Sequence, residues 1–321
     1  MDYPVHIRGI GAHLPEQAVS NDDLTKFLDT SDEWISQRTG IRQRHKAEDG
    51  VYTSDLAVAA AREALADAGK AADDIDLIVV ATTSSDRSLP STAGIVQSKL
   101  GLGHITAFDV QAACSGFIAG LNVVSSMLRL GHGSCALLIG AETLTRLLDW
   151  QDRGTAVLFG DGAGAVVLEA VPDGGETHII DSYTQSDGNT DILLSDGGIS
   201  LNGEAGKIRM DGKAVFRHAV NYISDSAKVI LARNEVSLED VDWFVPHQAN
   251  RRIIDKVAEM VGLEEEKVVI SVDRHANTSS ASIPLALCEA VRDGRVKSGD
   301  LILLGALGAG LVWGSALIRW P

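Results

Sequence analysis

Cys114, His247 and Asn277 are the residues of this chain best placed, by type and by neighbours, to make and break a bond at an electrophilic carbon. Cys114 closes the run Phe108-Asp109-Val110-Gln111-Ala112-Ala113-Cys114. Residues 118–130 follow, apolar at helical spacing and stopped by Gly131, so the cysteine stands at the start of a helix pointing into the core. Unpaired N–H groups and the positive end of a helix dipole favour a thiolate there, which predicts a nucleophilic sulfur near neutral pH. His247 lies in Pro246-His247-Gln248-Ala249-Asn250, and Asn277 in His275-Ala276-Asn277-Thr278-Ser279-Ser280. Both side chains donate hydrogen bonds, which suits them to hold negative charge as it develops on an oxygen. Taken singly, a cysteine in an apolar run also fits core packing, and a histidine or asparagine at a strand end also fits a satisfied turn.

The elements that carry these residues repeat. In the first half a helix is expected over residues 54–68, closed by Gly69, and a strand over 77–81 after the acidic turn Asp73-Asp74-Ile75-Asp76. A helix over 93–100, the Cys114 elbow, the helix to residue 130 and a strand over 136–140 follow. The glycine turn Phe159-Gly160-Asp161-Gly162-Ala163-Gly164 then enters another strand. The second half has a helix over 215–232, the turn Glu239-Asp240-Val241-Asp242, a strand over 243–245, a helix over 282–291 and a strand over 301–304. Gly308-Ala309-Gly310 stands where Gly162-Ala163-Gly164 stood. From Asp76 to Cys114 is 38 residues and from Asp242 to Asn277 is 35, so Asn277 is expected at the second copy's version of the elbow. Two similar halves, 1–171 and 172–321, related by a pseudo-twofold axis, predict an α/β core with two helices buried between two sheets. Such an axis brings matching elbows face to face.

Composition sets the outer limits. With 321 residues, 45% of them hydrophobic, the chain can bury a large core. Its three cysteines, Cys114, Cys135 and Cys288, are far apart, which suits neither a disulfide framework nor a zinc knuckle and points to a reducing compartment. Residues 1–15 hold Asp2, His6 and Arg8 where a signal peptide needs an apolar core, so the cytoplasm is the expected location. Residues 301–318 are uncharged but carry four glycines, and read as two buried strands and a turn rather than a membrane span. A formal net charge of −16 argues against a general affinity for nucleic acid or anionic lipid.

From Ile7 to the end, the chain resembles the β-ketoacyl-[acyl-carrier-protein] synthase III family, the initiating condensing enzymes of type II fatty acid synthesis in the thiolase superfamily. The resemblance rests on Thr30-Ser31-Asp32-Glu33-Trp34, Arg38-Thr39-Gly40-Ile41, the Cys114 elbow, Asp152-Arg153-Gly154-Thr155, the glycine turn at 159–164, and the segments holding His247 and Asn277. It implies a duplicated thiolase-like fold of five layers, α-β-α-β-α, and an acyltransferase with a Cys114, His247 and Asn277 triad. Cys114 takes the acyl group of an acyl-CoA, most simply acetyl-CoA. Malonyl-[acyl carrier protein] then decarboxylates, and its carbanion attacks the acyl-cysteine while His247 and Asn277 hold the enolate oxygen. No metal or cofactor is implied, acyl-CoA being a substrate.

The same resemblance implies an oxyanion site at the backbone amides of Cys114 and Ala309, an alanine where many relatives have a glycine that tolerates positive φ. It places Trp34, Arg38, Arg153 and Asn250 at the CoA, where an indole and guanidinium groups offer stacking faces and phosphate contacts. It places Leu89, supplied across a homodimer, at the end of the acyl pocket. The acidic carrier protein is expected on Gln248, Ala249, Asn250, Arg251, Arg252, Arg217 and Lys256, a basic cluster in an acidic chain. A degradative thiolase would need a second cysteine in the Gly308-Ala309-Gly310 loop, which has none. A papain-like protease or a non-catalytic carrier-binding module fits the motif set less well, and a secondary-metabolite relative with another primer or acceptor is the alternative.

Overall fold

The structure is a computed structural model describing residues 2–172, 175–195 and 206–321. Its first sheet holds β1 (Val5–His13), β2 (Leu77–Ala81), β3 (Thr106–Val110), β4 (Cys135–Thr143) and β5 (Asp161–Ala170), in the order β1-β5-β4-β2-β3. The second holds β6 (Ile179–Ser186), β7 (Trp243–Pro246), β8 (Leu301–Gly308) and β9 (Val312–Arg319), in the order β7-β8-β9-β6. β2 pairs in parallel with both β3 and β4, and β7 in parallel with β8, while the remaining pairs are antiparallel. A single parallel bridge from Phe244 to Val268 occupies the place that β3 holds in the first sheet. The uncharged stretch 301–318 is the β8–β9 hairpin, and no helix among the described residues is long and apolar enough to cross a membrane.

Seven helices of eight residues or more surround the sheets: α1 (Asp32–Thr39), α2 (Thr53–Asp67), α3 (Thr92–Leu100), α4 (Gly116–Arg129), α5 (Gly212–Arg233), α6 (Arg251–Val261) and α7 (Ser282–Arg292), counted among the described residues. The pleat sorts their contacts. Leu77 and Val79 of β2 pack with Ile118, Leu121 and Val124 of α4, whereas Ile78 and Val80 face Leu56, Ala60, Ala93 and Val96 of α2 and α3. In the second sheet Val245, Ile302 and Leu304 face α4 and α7, and Phe244 and Leu303 face Ile223 of α5 and Ile254 of α6. Both faces of each sheet are therefore covered, which is why these strands read as continuous apolar runs. The result is five layers, with α4 and α7 in the middle.

The repeat has a constant spacing. β7 begins 166 residues after β2, β8 begins 166 after β4, and α7 begins 166 after α4. Asp76 accepts from the amides of Ser134 and Cys135, and Asp242 accepts from the amide of Leu301 at the matching place. Each central helix is preceded by one 3₁₀ turn, Ala113–Ser115 before α4 and Ser279–Ala281 before α7, and both turns open on a left-handed residue, Ala113 (φ 46°) and Ser279 (φ 48°). The counterpart of Cys114 is thus Ser280. The sequence spacing assigned that position to Asn277, which instead lies three residues earlier. The loop leading to the second elbow contains an extra short helix, Val272–His275, that the first lacks.

Candidate active site

Cys114 sits in its 3₁₀ turn at 6% exposure. Its turn packs against the backbone of the β8–β9 hairpin: a Cβ on Gly308 would lie 2.7 Å from both the Cys114 nitrogen and the Ala112 oxygen. Only glycine permits that approach. Ser115 donates to the Val312 carbonyl at 2.7 Å and fastens the elbow to the same hairpin. Ala309 keeps out of the left-handed region, which is taken by Gly310 (φ 132°), so the strain expected of an alanine there is absent. Ala309 and Cys114 line one cavity.

The helix N-terminus led to an expectation of a depressed thiol pKa. The structure reverses the sign, because burial pushes the Cys114 thiol up to about 12, against a hydrogen bond from Ser279 that lowers it, while the nearby carboxylate of Glu142 raises it further. The sulfur rests protonated, since desolvating a thiolate beside an anion costs more than a helix terminus returns.

His247 is 3% exposed, and burial pushes its pKa down to about 3, so the ring is neutral. Its Nδ1 lies 2.6 Å from the Ser282 hydroxyl, whose oxygen also accepts from the Gln248 amide at 3.3 Å. That hydroxyl has no other acceptor among the described residues, so it donates to Nδ1, and Nε2 carries the ring proton. Asn277 is 7% exposed and held on both sides, its amide donating to the Leu158 carbonyl and its carbonyl accepting from Gly160. Its Oδ1 accepts from the Ser279 amide at 2.8 Å, which leaves the Nδ2 protons to offer. The three side chains therefore converge on one turn, residues 278–282: Cys114 shares the cavity wall with Ser279, Asn277 binds the Ser279 amide, and His247 binds Ser282.

Beside the sulfur is a cavity of about 620 Å³. Leu144, Leu147, Phe159, Leu193, Leu194 and Ile208 give its wall an apolar character, and Ser279 also borders it, but His247 and Asn277 do not. Phe159 and Ser279 stood in motifs legible in the sequence, but the leucines and Ile208 did not, because they come from separate segments that only the tertiary fold assembles. Leu89 is 84% exposed and is not on the wall of its own chain's cavity.

Trp34 of α1 has Arg38 over its ring at 4.8 Å and Arg153 at 4.7 Å, so three of the four predicted CoA residues form one stack. Arg153 also donates to the Asp29 carbonyl. Asn250 joins the group differently: its Oδ1 caps α6 by accepting from Arg252, and its Nδ2 donates to the Arg38 carbonyl. The second of these bonds positions Arg38.

The predicted carrier-protein set divides. Gln248 is fully buried and cannot meet a protein partner; its amide donates to the carbonyls of Pro246 and Val269 and accepts from Ser271 and Val272, tying the His247 loop to its neighbour. Arg251 is paired with Asp255 and Glu265, and Lys256 with Glu259. Arg252 has no carboxylate partner among the described residues and lies over the Phe216 ring at 5.7 Å, one residue from Arg217. Ala249 is half-buried.

The family models for 3-oxoacyl-[acyl-carrier-protein] synthase III match residues 108–188, and those for its C-terminal part match residues 231–320. A beta-ketoacyl-[acyl-carrier-protein] synthase III of Caulobacter vibrioides is 55% identical over 317 residues, 98% of each chain. The crystal structure of a 3-oxoacyl-(acyl carrier protein) synthase III from Pseudomonas aeruginosa superposes with a TM-score of 0.94 at 44% identity, over 99% of this chain and 98% of that one. The priming beta-ketosynthase of the R1128 polyketide pathway also reaches 0.94, at 33% identity, over 100% and 97%. On identity, coverage and fold together, the chain belongs to the 3-oxoacyl-[acyl-carrier-protein] synthase III family.

Proposed function

We propose that the protein joins an acyl-CoA primer, acetyl-CoA first, to malonyl-[acyl carrier protein], releasing CoA and carbon dioxide and giving a 3-oxoacyl-[acyl carrier protein]. The observation that carries the site assignment is the convergence of Cys114, His247 and Asn277 on residues 278–282 beside an apolar cavity. The Cys114 sulfur attacks the thioester carbonyl, the bond to CoA sulfur breaks, and the acyl chain occupies the cavity. The oxyanion of that step lies at the amides of Cys114 and Ala309. In the second step the bond to the malonyl carboxylate breaks, and its electrons pass to the thioester as an enolate held by the Nε2 proton of His247 and the Nδ2 protons of Asn277. The enolate carbon attacks the acyl-cysteine carbonyl and the sulfur leaves. A neutral histidine is the right donor here, since the charge it meets is transient.

The stack of Arg38, Trp34 and Arg153 supports a CoA adenine site, entered by lifting Arg153 from the indole. Arg252 and Arg217, left with charge to spare, support docking of an acidic carrier protein. An apolar side chain as exposed as Leu89 supports a homodimer in which it closes the neighbour's cavity. Three free cysteines accord with the cytoplasm. Identity of 52–55% to several fatty-acid enzymes against 33% to the polyketide synthase favours the fatty-acid reading over the secondary-metabolite one. Intact-protein mass spectrometry after incubation with acetyl-CoA tests it: an acetyl adduct mapping to Cys114 is expected, and failure to acylate with any acyl-CoA overturns the proposal.

A further inference from the structure

Arg44 is the largest wholly buried side chain among the described residues, and the reaction above makes no use of it. It stands in the short strand Gln43–His45. Burial pushes its pKa down to about 10, so the guanidinium stays charged at neutral pH. Among the described residues no carboxylate pairs with it, and its Nε has no hydrogen-bond partner. A buried charge without a countercharge costs stability, so packing alone does not account for this one.

Its terminal nitrogens point to a use. Nη1 donates to Asn21 Oδ1 at 2.9 Å and to the Val19 carbonyl at 3.2 Å, and Nη2 donates to the Val157 carbonyl at 2.9 Å. Asn21 is itself only 1% exposed, and its Nδ2 donates to Asp32 Oδ1 and to the Ile41 carbonyl, both at 2.8 Å. Asp32 opens α1 and Ile41 lies just past its end, with Trp34 and Arg38 between them. Val157 closes the turn Arg153–Ala156. The buried pair therefore joins the helix that carries Trp34 and Arg38 to the turn that carries Arg153.

Resting on the CoA-site reading above, we propose that Arg44 and Asn21 are positioning residues for the nucleotide end of CoA. They fix the backbones of α1 and of the turn ending at Val157, so that the adenine meets the Trp34 indole and the Arg153 guanidinium at a set separation. Neither residue touches the ligand. Arg153 has to leave the indole for the ring to enter, and its own tether to the Asp29 carbonyl is exposed. With the frame held from beneath, entry demands the movement of one side chain and no reordering of two elements, which is preorganisation. A planar fork suits the task because it fixes several directions at once, as an ammonium does not.

The test times acetylation of Cys114 by two donors, acetyl-CoA and S-acetyl-N-acetylcysteamine, a thioester without the nucleotide. The variants are Trp34→Ala, Arg44→Met, Asn21→Leu and the double variant Arg44→Met/Asn21→Leu, each checked for folding by circular dichroism. Arg44→Met and Asn21→Leu should each raise KM for acetyl-CoA about tenfold with little change in kcat, and leave kcat/KM for the truncated donor as in the wild type. The double variant removes donor and acceptor together, which keeps the test readable if either single variant fails to fold. In a Trp34→Ala background Arg44→Met should lose most of its effect, since part of what it positions is gone. Equal losses with both donors, as a loosened fold would give, overturn the proposal. So do a wild-type KM for acetyl-CoA in a folded variant, full additivity with Trp34→Ala, or loss of the fold in all three variants. A Trp34→Ala protein with the wild-type KM for acetyl-CoA overturns the CoA-site reading itself.

Discussion

The two elbows of this molecule share a frame and differ in content. Both precede a central helix, both open on a left-handed residue, and they are 166 positions apart, with Cys114 in one and Ser280 in the other. The Ser280 hydroxyl lies within hydrogen-bonding distance of both the Ala81 carbonyl and Glu142, which ties the second elbow to the first sheet. Each elbow is supported by the opposite half, and the supports are themselves equivalent positions. Gly308, 166 residues after Glu142, presses backbone against the Cys114 amide, while Glu142 binds Ser280. The loop between the sheet edge and the elbow is five residues longer in the second half, and that longer loop holds Asn277. The two halves thus share a scaffold, and the proposed function divides the labour between them, with the nucleophile assigned to one half and the enolate-holding donors to the other.

If the supports differ as described, filling one should break the first elbow. Gly308→Ala puts a methyl 2.7 Å from the Cys114 amide, where backbone must move. Acetylation of Cys114 should fall more than tenfold, with about 1–3 kcal/mol of stability lost to overpacking; unaltered acylation would mean the hairpin does not set the elbow. The surface of the second half offers a milder test. Arg252→Glu should raise KM for malonyl-[acyl carrier protein] about fivefold, the effect of ~1 kcal/mol at an exposed charge. KM for acetyl-CoA should be unchanged, and equal effects on both substrates would move the docking site elsewhere. From the first half, Leu89→Phe should lower kcat/KM for butyryl-CoA and isobutyryl-CoA relative to acetyl-CoA, each buried methylene being worth about 0.8 kcal/mol, roughly fourfold. An unchanged ratio would detach Leu89 from the pocket.

Acid should also tell the halves apart. His247 and His275, both in the second half, have pKa values pushed down by burial to about 3 and about 4. Unfolding lets each take up a proton below its ordinary value near 6.5. Their neutral burial therefore favours the fold fully above pH 6.5, and that advantage shrinks as pH falls, by about 1.4 kcal/mol per unit and group, until the folded pKa is reached. Urea midpoints between pH 7 and 4.5 should fall, and less steeply in His275→Gln. An identical slope in that variant would mean His275 titrates normally.

Much of this was legible in the chain. The repeat, the central strands and helices, and the Cys114 and His247 positions follow from apolar patterning and from the acidic turns before β2 and β7, because both sheets are covered on two faces. The stack on Trp34 was legible as three residue types able to share it. What misled was the choice of residue: Asn277 lies 35 residues after Asp242, whereas Ser280 lies 38 after it, the same distance that separates Cys114 from Asp76. Helix-dipole reasoning gave the wrong sign for Cys114 because the burial of a sulfur and a carboxylate 28 residues away is a tertiary fact. Gln248 looked available for the carrier protein because its neighbours are basic, yet burial made it a structural tie. Glu142 left one trace, a lone carboxylate at the end of an apolar run, and Ser279 and Ser282 were unremarked members of a hydroxyl-rich turn.

The division of labour between the halves is tested most directly by measuring both half-reactions in three variants. Cys114→Ala should lose acyl transfer entirely and still release carbon dioxide from malonyl-[acyl carrier protein]. His247→Ala and Asn277→Ala should still acetylate at Cys114 but decarboxylate about a hundredfold or more slowly. Decarboxylation at the wild-type rate in either of the last two, or its complete loss in Cys114→Ala, would contradict the account.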